Sequence, residues 1–194
     1  MRQLILASQS RYRAEALENA GLVFSQIPAN VDESAFEAAD PGTLSADLAL
    51  KKCLHVASDH PDAIVIGSDQ VAWCANVRLS KPGTFEKACE QLSYCQGKEA
   101  TFYTSVSVTA PHLTEALTAT IPTKLKFRQL SDAEIATYVH LDQPFDCAGS
   151  FKIEANGIHL FDYVDSVDPT ALIGLPMLAT LKFLREAGIN PLTN

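Results

Sequence analysis

Apolar residues recur along the chain with two different periods, and together these periods predict an α/β protein. Short apolar runs typical of buried strands occupy Leu4–Ala7 and Ile64–Val71. A pattern with a helical period runs from about Ser45 to Ser58. Segments rich in Thr, Val and aromatic residues at Glu99–Thr109 and Leu117–Phe127 predict two more strands, which could form a hairpin-rich second lobe.

The same patterns predict the remaining elements. Helices are expected at 14–20, at 85–96, from 131 to about 138, and in the segment that ends near 188; an extended segment is expected at 24–29, a hairpin at 73–79 and a strand near 158–161. The helix at 131 opens with Ser131-Asp132-Ala133-Glu134, which matches the capping-box pattern. Because the chain contains no repeat, low-complexity tract or linker, we expect a single domain over residues 1–194.

One carboxylate follows the most apolar of the predicted strands. Ile64-Val65-Ile66 runs directly into Gly67-Ser68-Asp69, so we expect the end of a buried strand to deliver Asp69 into a crevice. Ligands of α/β proteins bind beyond the carboxyl ends of strands, which favours a functional role for this side chain. An ordinary turn or helix cap at Ser68-Asp69 is the alternative that the local pattern leaves open.

Hydroxyls and arginines lie between the first predicted strand and the first predicted helix. Ser8, Ser10, Arg11 and Arg13 occupy this polar loop. A helix N-terminus carries unpaired N–H groups and a partial positive charge, and arginine binds phosphate oxygens well. The segment therefore predicts a phosphate site, with a serine N-cap and solvated arginines as the alternative.

The composition argues against some kinds of binding partner and some cellular locations. The formal net charge is −8 and the isoelectric point is about 5.0, which argues against a general surface for polymeric nucleic acid. No stretch approaches the roughly 20 apolar residues of a membrane span, and the apolar N-terminal run is too short for a signal peptide. The five cysteines form no C-x-x-C pair, so we expect reduced thiols in a cytoplasmic protein.

Further charged residues fall in predicted loops or on a predicted helix. Lys81 precedes Pro82 on a loop, Glu33 lies in an acidic loop, and Lys52 lies on the helix at 45–58, where a solvated surface lysine is the alternative. Cations can hold a polyphosphate, and carboxylates can hold a divalent metal that activates water. Such a set suits the hydrolysis of a phosphoanhydride, provided that the fold brings its members together.

The sequence resembles a known family in motifs that run in order over nearly the whole chain. The motifs are Leu4-Ile5-Leu6-Ala7-Ser8-x-Ser10-x-x-Arg13, Val31-Asp32-Glu33, Lys52, Gly67-Ser68-Asp69-Gln70-Val71, Lys81-Pro82, Ala148-Gly149-Ser150-Phe151 and Gly174-Leu175-Pro176. They look like those of the Maf family of nucleoside triphosphate pyrophosphatases. The resemblance implies the inosine-triphosphatase-like fold shared with Ham1 proteins: a mixed sheet flanked by helices, in two lobes with a central cleft.

The resemblance also implies the chemistry and the residues that perform it. Family members cleave the α–β phosphoanhydride of a nucleotide with a divalent cation, Mg²⁺ or Mn²⁺, and a homodimer is implied as well. Asp69 would be the general base, and Glu33 and Asp69 would hold the metal. The phosphates would be bound by a serine, arginine and lysine set: Ser8, Ser10, Arg13, Lys52 and Lys81.

Three positions resemble the branch of the family that acts on 7-methylguanosine triphosphate. They are Tyr12, Gln70 and Glu154. Methylation at N7 makes guanine cationic, so an aromatic ring at position 12 could stack on it, and a carboxylate at position 154 could accept from its N–H donors. Packing of Tyr12 on its own loop and a solvated Glu154 are the alternatives. Three alternative functions stay open. The protein could hydrolyse dTTP or UTP, hydrolyse a broader range of modified nucleotides, or be a nucleotide-binding regulator of septum formation.

Overall fold

A computed structural model of the chain describes residues 2–32 and 40–193, and these residues form a mixed sheet with flanking helices. The helices are α1 (Arg11–Asn19), α2 (Pro41–Asp59), α3 (Phe85–Cys95), α4 (Asp132–Asp142) and α5 (Met177–Glu186). The strands are β1 (Leu4–Leu6), β2 (Ser25–Gln26), β3 (Ile64–Cys74), β4 (Val77–Leu79), β5 (Glu99–Thr109), β6 (Leu117–Phe127) and β7 (Phe161–Ser166). Two 3-10 helices occupy Asn156–Leu160 and Ala171–Ile173.

The strands follow the order β2-β1-β3-β5-β6-β7, and β4 pairs with β3. β1 pairs in parallel with both β2 and β3, whereas β4 and β7 are antiparallel to β3 and β6 respectively. Parallel pairs need crossover connections, which α1 and α2 supply. The predicted mixed sheet flanked by helices is therefore present.

The chain divides into two compact units. The first unit holds the described residues of Met1–Gln70, Tyr103–Ile121 and Asp168–Asn194, and the second holds those of Val71–Phe102 and Pro122–Val167. In the second unit, four phenylalanine rings meet at centroid distances between 4.8 and 6.1 Å: Phe102, Phe127, Phe151 and Phe161. No helix within residues 2–32 and 40–193 is long and apolar enough to cross a membrane.

In the first unit, β1 and β3 are buried on both faces, which explains their unbroken apolar runs. Successive side chains of a strand point to opposite faces. Accordingly Leu6 and Ile66 belong to one cluster with residues of α1 and α5, while Ile5 and Val65 belong to another with residues of α2. Within Ile64–Gln70, an odd-numbered side chain of β3 therefore faces α2. An even-numbered one faces the layer of α1 and α5.

The prediction that a strand ends at Asp69 is wrong in one respect, because β3 continues to Cys74. The short hairpin that β3 forms with β4 extends the strand, with Ala72 opposite Leu79. Asp69 therefore lies in the middle of an eleven-residue strand. The alternative of a turn or helix cap at Ser68-Asp69 is excluded by the same observation.

Helix α1 begins at Arg11 rather than at Ala14, which places Arg13 in its first turn instead of in a loop. Helix α2 begins at Pro41 rather than near Ser45. Asp40 is its N-cap and accepts from the Thr43 amide at 2.6 Å, a bond that lowers the pKa of the Asp40 carboxyl. The residues from Asp40 to Thr43 thus form the start of the helix, and proline is well tolerated at its first position.

Two predictions near the C-terminal half also need correction. Helix α4 continues past Tyr138 to Asp142, and the segment predicted as a strand near 158–161 is mostly a 3-10 helix. The strand there, β7, begins only at Phe161. His159 is exposed on the 3-10 helix. The capping box of Ser131 and Glu134 is present as predicted.

Candidate active site

A buried ion pair joins α2 to the middle of β3. Lys52 Nζ lies 2.6 Å from Asp69 Oδ1, and the two side chains are only 11% and 9% exposed. Gly67 makes this approach feasible, because a Cβ at that position would run into the carbonyl oxygen of Ala49 and the amide nitrogen of Cys53. Helix α2 thus packs directly on the strand, and Lys52, in the turn between those residues, reaches the carboxylate. The structure therefore shows that Lys52 is not a solvated surface lysine.

The predicted phosphate-binding side chains of the N-terminal segment come together at the start of α1. Ser10 is the N-cap, and its hydroxyl accepts from the Arg13 amide at 3.4 Å. The Ser8 hydroxyl accepts from the Ser10 amide at 3.1 Å and from Arg13 Nη1 at 3.2 Å. Arg13 also donates from Nε to the Gly174 carbonyl and from Nη1 to the Ser68 carbonyl, both at 2.8 Å. Backbone carbonyls thus fix the guanidinium next to the two hydroxyls.

Gln70 projects to the face of β3 opposite Asp69, as its neighbouring position requires. Its Nε2 donates to Thr104 Oγ1 at 2.9 Å and to the carbonyls of Ala171 and Leu172 at 3.1 and 3.2 Å. The side chain thereby holds the 3-10 helix of the first unit in place. The role of Gln70 in selecting the nucleobase stays a prediction.

Tyr12 is half-buried in the first turn of α1 and already contacts a cation. The Arg11 guanidinium carbon lies 4.7 Å from the centre of the Tyr12 ring, and Arg11 Nη2 donates to the phenol oxygen at 2.9 Å. A cation near an aromatic face is attracted to the ring electrons. This ring is thus placed to interact with a cation, although Arg11 covers one of its faces.

The remaining candidates belong to the second unit. Lys81 is exposed on the loop between β4 and α3. Gln91 of α3 secures this loop, since its amide accepts from the Ser80 N–H at 3.1 Å and donates to the Ser80 carbonyl at 3.0 Å. Gln91 Nε2 also donates to the hydroxyl of Ser150 at 2.5 Å. One half-buried amide therefore connects the Lys81 loop to the Gly149-Ser150 segment.

Glu154 lies in a turn that follows this segment, and its side chain is exposed. The turn is closed on itself, because the amides of Ala155 and Gly157 both donate to the Lys152 carbonyl, at 3.2 and 3.0 Å. Gly157 has no room for a side chain against that carbonyl. Glu154 thus lies on a compact loop rather than on a helix or strand.

Metal ligation was predicted for Glu33 and Asp69. Glu33 lies outside the described residues. Among residues 2–32 and 40–193, no group of three or more His, Cys, Asp or Glu side chains is arranged to hold a metal ion. Asp69 supplies the carboxylate oxygen that Mg²⁺ prefers, and Mg²⁺ commonly uses only one or two protein carboxylates together with substrate phosphates. A single aspartate is therefore compatible with such a cation.

The cysteine next to Lys52 is a packed thiol. Burial raises the pKa of Cys53 to about 12, and its Sγ donates to the Val65 carbonyl at 3.2 Å. Since only the thiolate is a strong nucleophile, Cys53 is chemically inert at neutral pH. Burial also raises the pKa of Cys95, where the neighbouring Cys74 contributes a smaller part.

Sequence comparison assigns the chain to a family. The family described as Maf-like protein matches residues 3–187. A 7-methyl-GTP pyrophosphatase of Bordetella pertussis is 46% identical over 98% of this chain and 95% of its own length. Relatives with the same name from Idiomarina loihiensis and Saccharophagus degradans are 45% and 39% identical, each over 97% of this chain and 96% of the relative. The protein belongs to the Maf family.

Solved structures support the fold. A HAM1 protein from Coxiella burnetii superposes with a TM-score of 0.52 at 16% identity, covering 96% of this chain and 100% of that one. The Ham1 protein of Staphylococcus aureus gives 0.53 at 14% identity, covering 95% and 99%. The predicted fold, a mixed α/β architecture of the Ham1 type, is confirmed.

Several residues that shape the site were not predicted from the sequence. Gly67 had a usable signal, because an isolated glycine in a strand pattern often marks a close backbone approach. Gln91, Thr104 and Asp142 had none, since a polar residue on a helix or strand is usually solvated and its partners here are distant in sequence. Only the fold reveals that Gln91 bridges two loops.

Proposed function

We propose that this protein is a nucleoside triphosphate pyrophosphatase that hydrolyses 7-methyl-GTP to 7-methyl-GMP and diphosphate, and thereby removes a modified nucleotide from the pool. The buried pair of Lys52 with Asp69 is the observation that carries the hydrolytic part of this proposal. The substrate is supported by the relatives, which are 39–46% identical and bear the name 7-methyl-GTP pyrophosphatase.

Asp69 is the general base of the proposed reaction. A water molecule attacks the α-phosphorus and gives its proton to the Asp69 carboxylate, while the bond to the β-phosphate oxygen breaks and diphosphate leaves. Lys52 has three donors, so it can orient the carboxylate with one and reach a phosphate oxygen with another. Charge that develops on the phosphate oxygens is stabilised by such fixed cations.

Phosphate binding is assigned to Ser8, Ser10, Arg13, Lys52 and Lys81. In the first unit, the N-terminus of α1 adds a partial positive charge to the arginine and the two hydroxyls. Arg13 is held by two carbonyls, so little conformational freedom is lost when it binds an anion. A fixed donor of this kind contributes more than a mobile one, because less side-chain entropy is lost on binding.

A divalent cation, Mg²⁺ or Mn²⁺, completes the proposed enzyme. Asp69 and Glu33 would hold it, together with the triphosphate. When bound, such a cation lowers the pKa of a coordinated water towards about 7 and neutralises phosphate charge. Such a cation is needed because a carboxylate is a weak base at neutral pH; the pKa of a free aspartate is only about 3.9.

In this proposal, the nucleobase of the substrate is selected by Tyr12, Glu154 and Gln70. The N7-methylated guanine ring is cationic and stacks on the Tyr12 ring, a contact worth about 0.5–2 kcal/mol. Glu154 accepts from the N1–H and the exocyclic amine, and a carboxylate suits a cationic purine better than an amide does. Gln70 contributes through the 3-10 helix that it holds.

Steady-state kinetics over a nucleotide panel test the substrate. We expect kcat/KM for 7-methyl-GTP to exceed that for GTP, dTTP and UTP, and Glu154→Gln to reduce this preference. Equal or faster turnover of dTTP or UTP would contradict the substrate assignment, and similar turnover of several unrelated modified bases would indicate a broader enzyme. Nucleotide binding without any turnover in the presence of Mg²⁺ or Mn²⁺ would favour a regulator of septum formation.

The cellular location and the oligomeric state of the enzyme are part of the same proposal. The absence of C-x-x-C spacing among the five cysteines supports a reducing, cytoplasmic location. We also assign a homodimer, which sedimentation at micromolar concentration would test; a single monomeric species would rule it out.

A further inference from the structure

The loop that carries Glu154 is tied at both ends to the last residue of α4. Asp142 accepts from the Asn156 amide with Oδ2 at 3.0 Å and from Asn156 Nδ2 with Oδ1 at 2.6 Å. The carbonyl of Asp142 accepts from Lys152 Nζ at 2.7 Å. Lys152 and Asn156 bracket Glu154 by two residues on each side, so three hydrogen bonds to one residue fix the loop.

Tyr138, one helical turn earlier, strengthens the same attachment. Its phenol oxygen accepts from the Lys152 amide at 3.0 Å. Tyr138 and Asp142 are only 5% and 9% exposed, and hydrogen bonds shielded from water are stronger than exposed ones. Glu154 itself is exposed, so its position depends on the backbone beneath it and not on side-chain packing.

We propose that Asp142 is a positioning residue for base selection: its carboxylate holds Asn156, and thereby sets where the Glu154 carboxylate meets the nucleobase. This inference rests on the proposed function, since it takes Glu154 as the group that reads the base. A loop displaced by about 1 Å can cost a large factor in rate, because recognition depends on hydrogen-bond geometry. The geometry of Asp142 therefore influences which nucleotide is cleaved, although Asp142 does not touch it.

The pair of Asp142 and Asn156 offers a test by exchange. In Asp142→Ala, the side chain carries no acceptor, so both of its bonds to Asn156 are lost. In Asn156→Asp, two carboxylates face each other. The double variant Asp142→Asn/Asn156→Asp restores both bonds with the donor and acceptor of the side-chain bond reversed.

The readout is the ratio of kcat/KM for 7-methyl-GTP to kcat/KM for GTP, which is independent of the folded fraction. We expect each single variant to lower the ratio by roughly tenfold and the double variant to restore it to within about twofold. Asp142→Ala should have no additional effect in a Glu154→Gln background. Asp132→Ala, the same change at the exposed start of α4, is the control and should leave the ratio unchanged.

The results for the wild type and the variants distinguish an error in this inference from an error in the proposed function. If the wild-type enzyme does not prefer 7-methyl-GTP, the proposed function fails and the positioning role with it. If the wild type shows the preference but Asp142→Ala keeps it, or the exchange fails to restore it in Asn156→Asp, only the positioning role is wrong. A ratio that is unchanged by Glu154→Gln would also overturn it.

Discussion

The two units hold their candidate residues in different ways. In the first unit, the functional side chains themselves are fixed: the buried Lys52 pairs with the buried Asp69, and the half-buried Arg13 is held by two carbonyls. In the second unit, Lys81 and Glu154 are exposed, and buried or half-buried side chains hold the backbone beneath them. The difference indicates that the first unit depends on pre-set side-chain geometry, whereas the second depends on the positions of its loops.

The largest effect should come from the buried pair. We expect Asp69→Asn to reduce kcat by roughly 10³-fold, because the amide cannot accept a proton from water. Loss of one partner of a buried ion pair also costs about 3–5 kcal/mol of stability, since the Lys52 ammonium is left uncompensated. Single-turnover assays and chemical denaturation measure the two effects separately.

A second variant separates folding from chemistry at this pair. Asp69→Asn/Lys52→Met removes both charges, so it should recover most of the lost stability while turnover stays undetectable. Retention of more than about a tenth of wild-type kcat in Asp69→Asn would remove Asp69 from its role as the base.

Gly67→Ala should produce the next largest effect, through α2. The added Cβ meets backbone atoms of Ala49 and Cys53 that cannot rotate away, so the helix must shift at a cost of about 1–3 kcal/mol or more. Because Lys52 lies on the displaced turn, activity should fall as well. Thermal unfolding and kcat/KM measure these changes.

Gly21→Ala is the matched control for this substitution. Gly21 has a φ of 73° and no atom within 4 Å of an added Cβ, so alanine introduces backbone strain of about 1–2 kcal/mol without a clash. We expect a loss of stability with normal kcat/KM. If Gly67→Ala behaved in the same way, α2 would not be positioned by its contact with β3.

Sequence patterns predicted the buried carboxylate of the first unit better than the exposed candidates of the second, for a physical reason. The apolar runs of β1 and β3 identify strands because both of their faces are buried, and Asp69 stands out as a charge within such a run. The patterns did not join this strand to the hairpin predicted at 73–79, since the continuity of β3 depends on its pairing with β4. Glu154 and Lys81 appear in the sequence as ordinary loop charges, and only the resemblance to the family drew attention to them.

Gln91→Ala should test the dependence of the second unit on its loops. The change removes three hydrogen bonds between α3, Ser80 and Ser150. Each such bond contributes about 0.5–1.5 kcal/mol net, and water can replace those to the exposed Ser80. We expect KM for the nucleotide to rise several-fold, because the Lys81 loop is less well placed, while kcat changes less. Glu90→Ala, at the exposed neighbouring position, should have neither effect; a fall in kcat with an unchanged KM in Gln91→Ala would contradict this assignment.

The smallest predicted effect concerns pH and the start of α4, whose far end holds the Glu154 loop. Hydrogen bonds from the Ser131 backbone, then from Arg128 and the Ser131 hydroxyl, lower the pKa of Glu134 from 4.5 to about 2. A carboxyl whose pKa is lower in the folded state stabilises the protein above its unfolded pKa, and this contribution disappears as the pH falls through the folded pKa. Glu134 should therefore stabilise α4 fully above about pH 5.5 and progressively less towards pH 2.

Denaturation of wild type and Glu134→Gln across this range measures the contribution. Since the side chains of Glu134 and Arg128 are 45% and 36% exposed, we expect the variant to be only slightly less stable at neutral pH, with a smaller difference at high salt. The difference should vanish as the pH approaches 2, and Ser131→Ala should reduce it at every pH because the capping box is then incomplete. A difference that stayed constant down to pH 2 would show that the charge of Glu134 does not stabilise this helix.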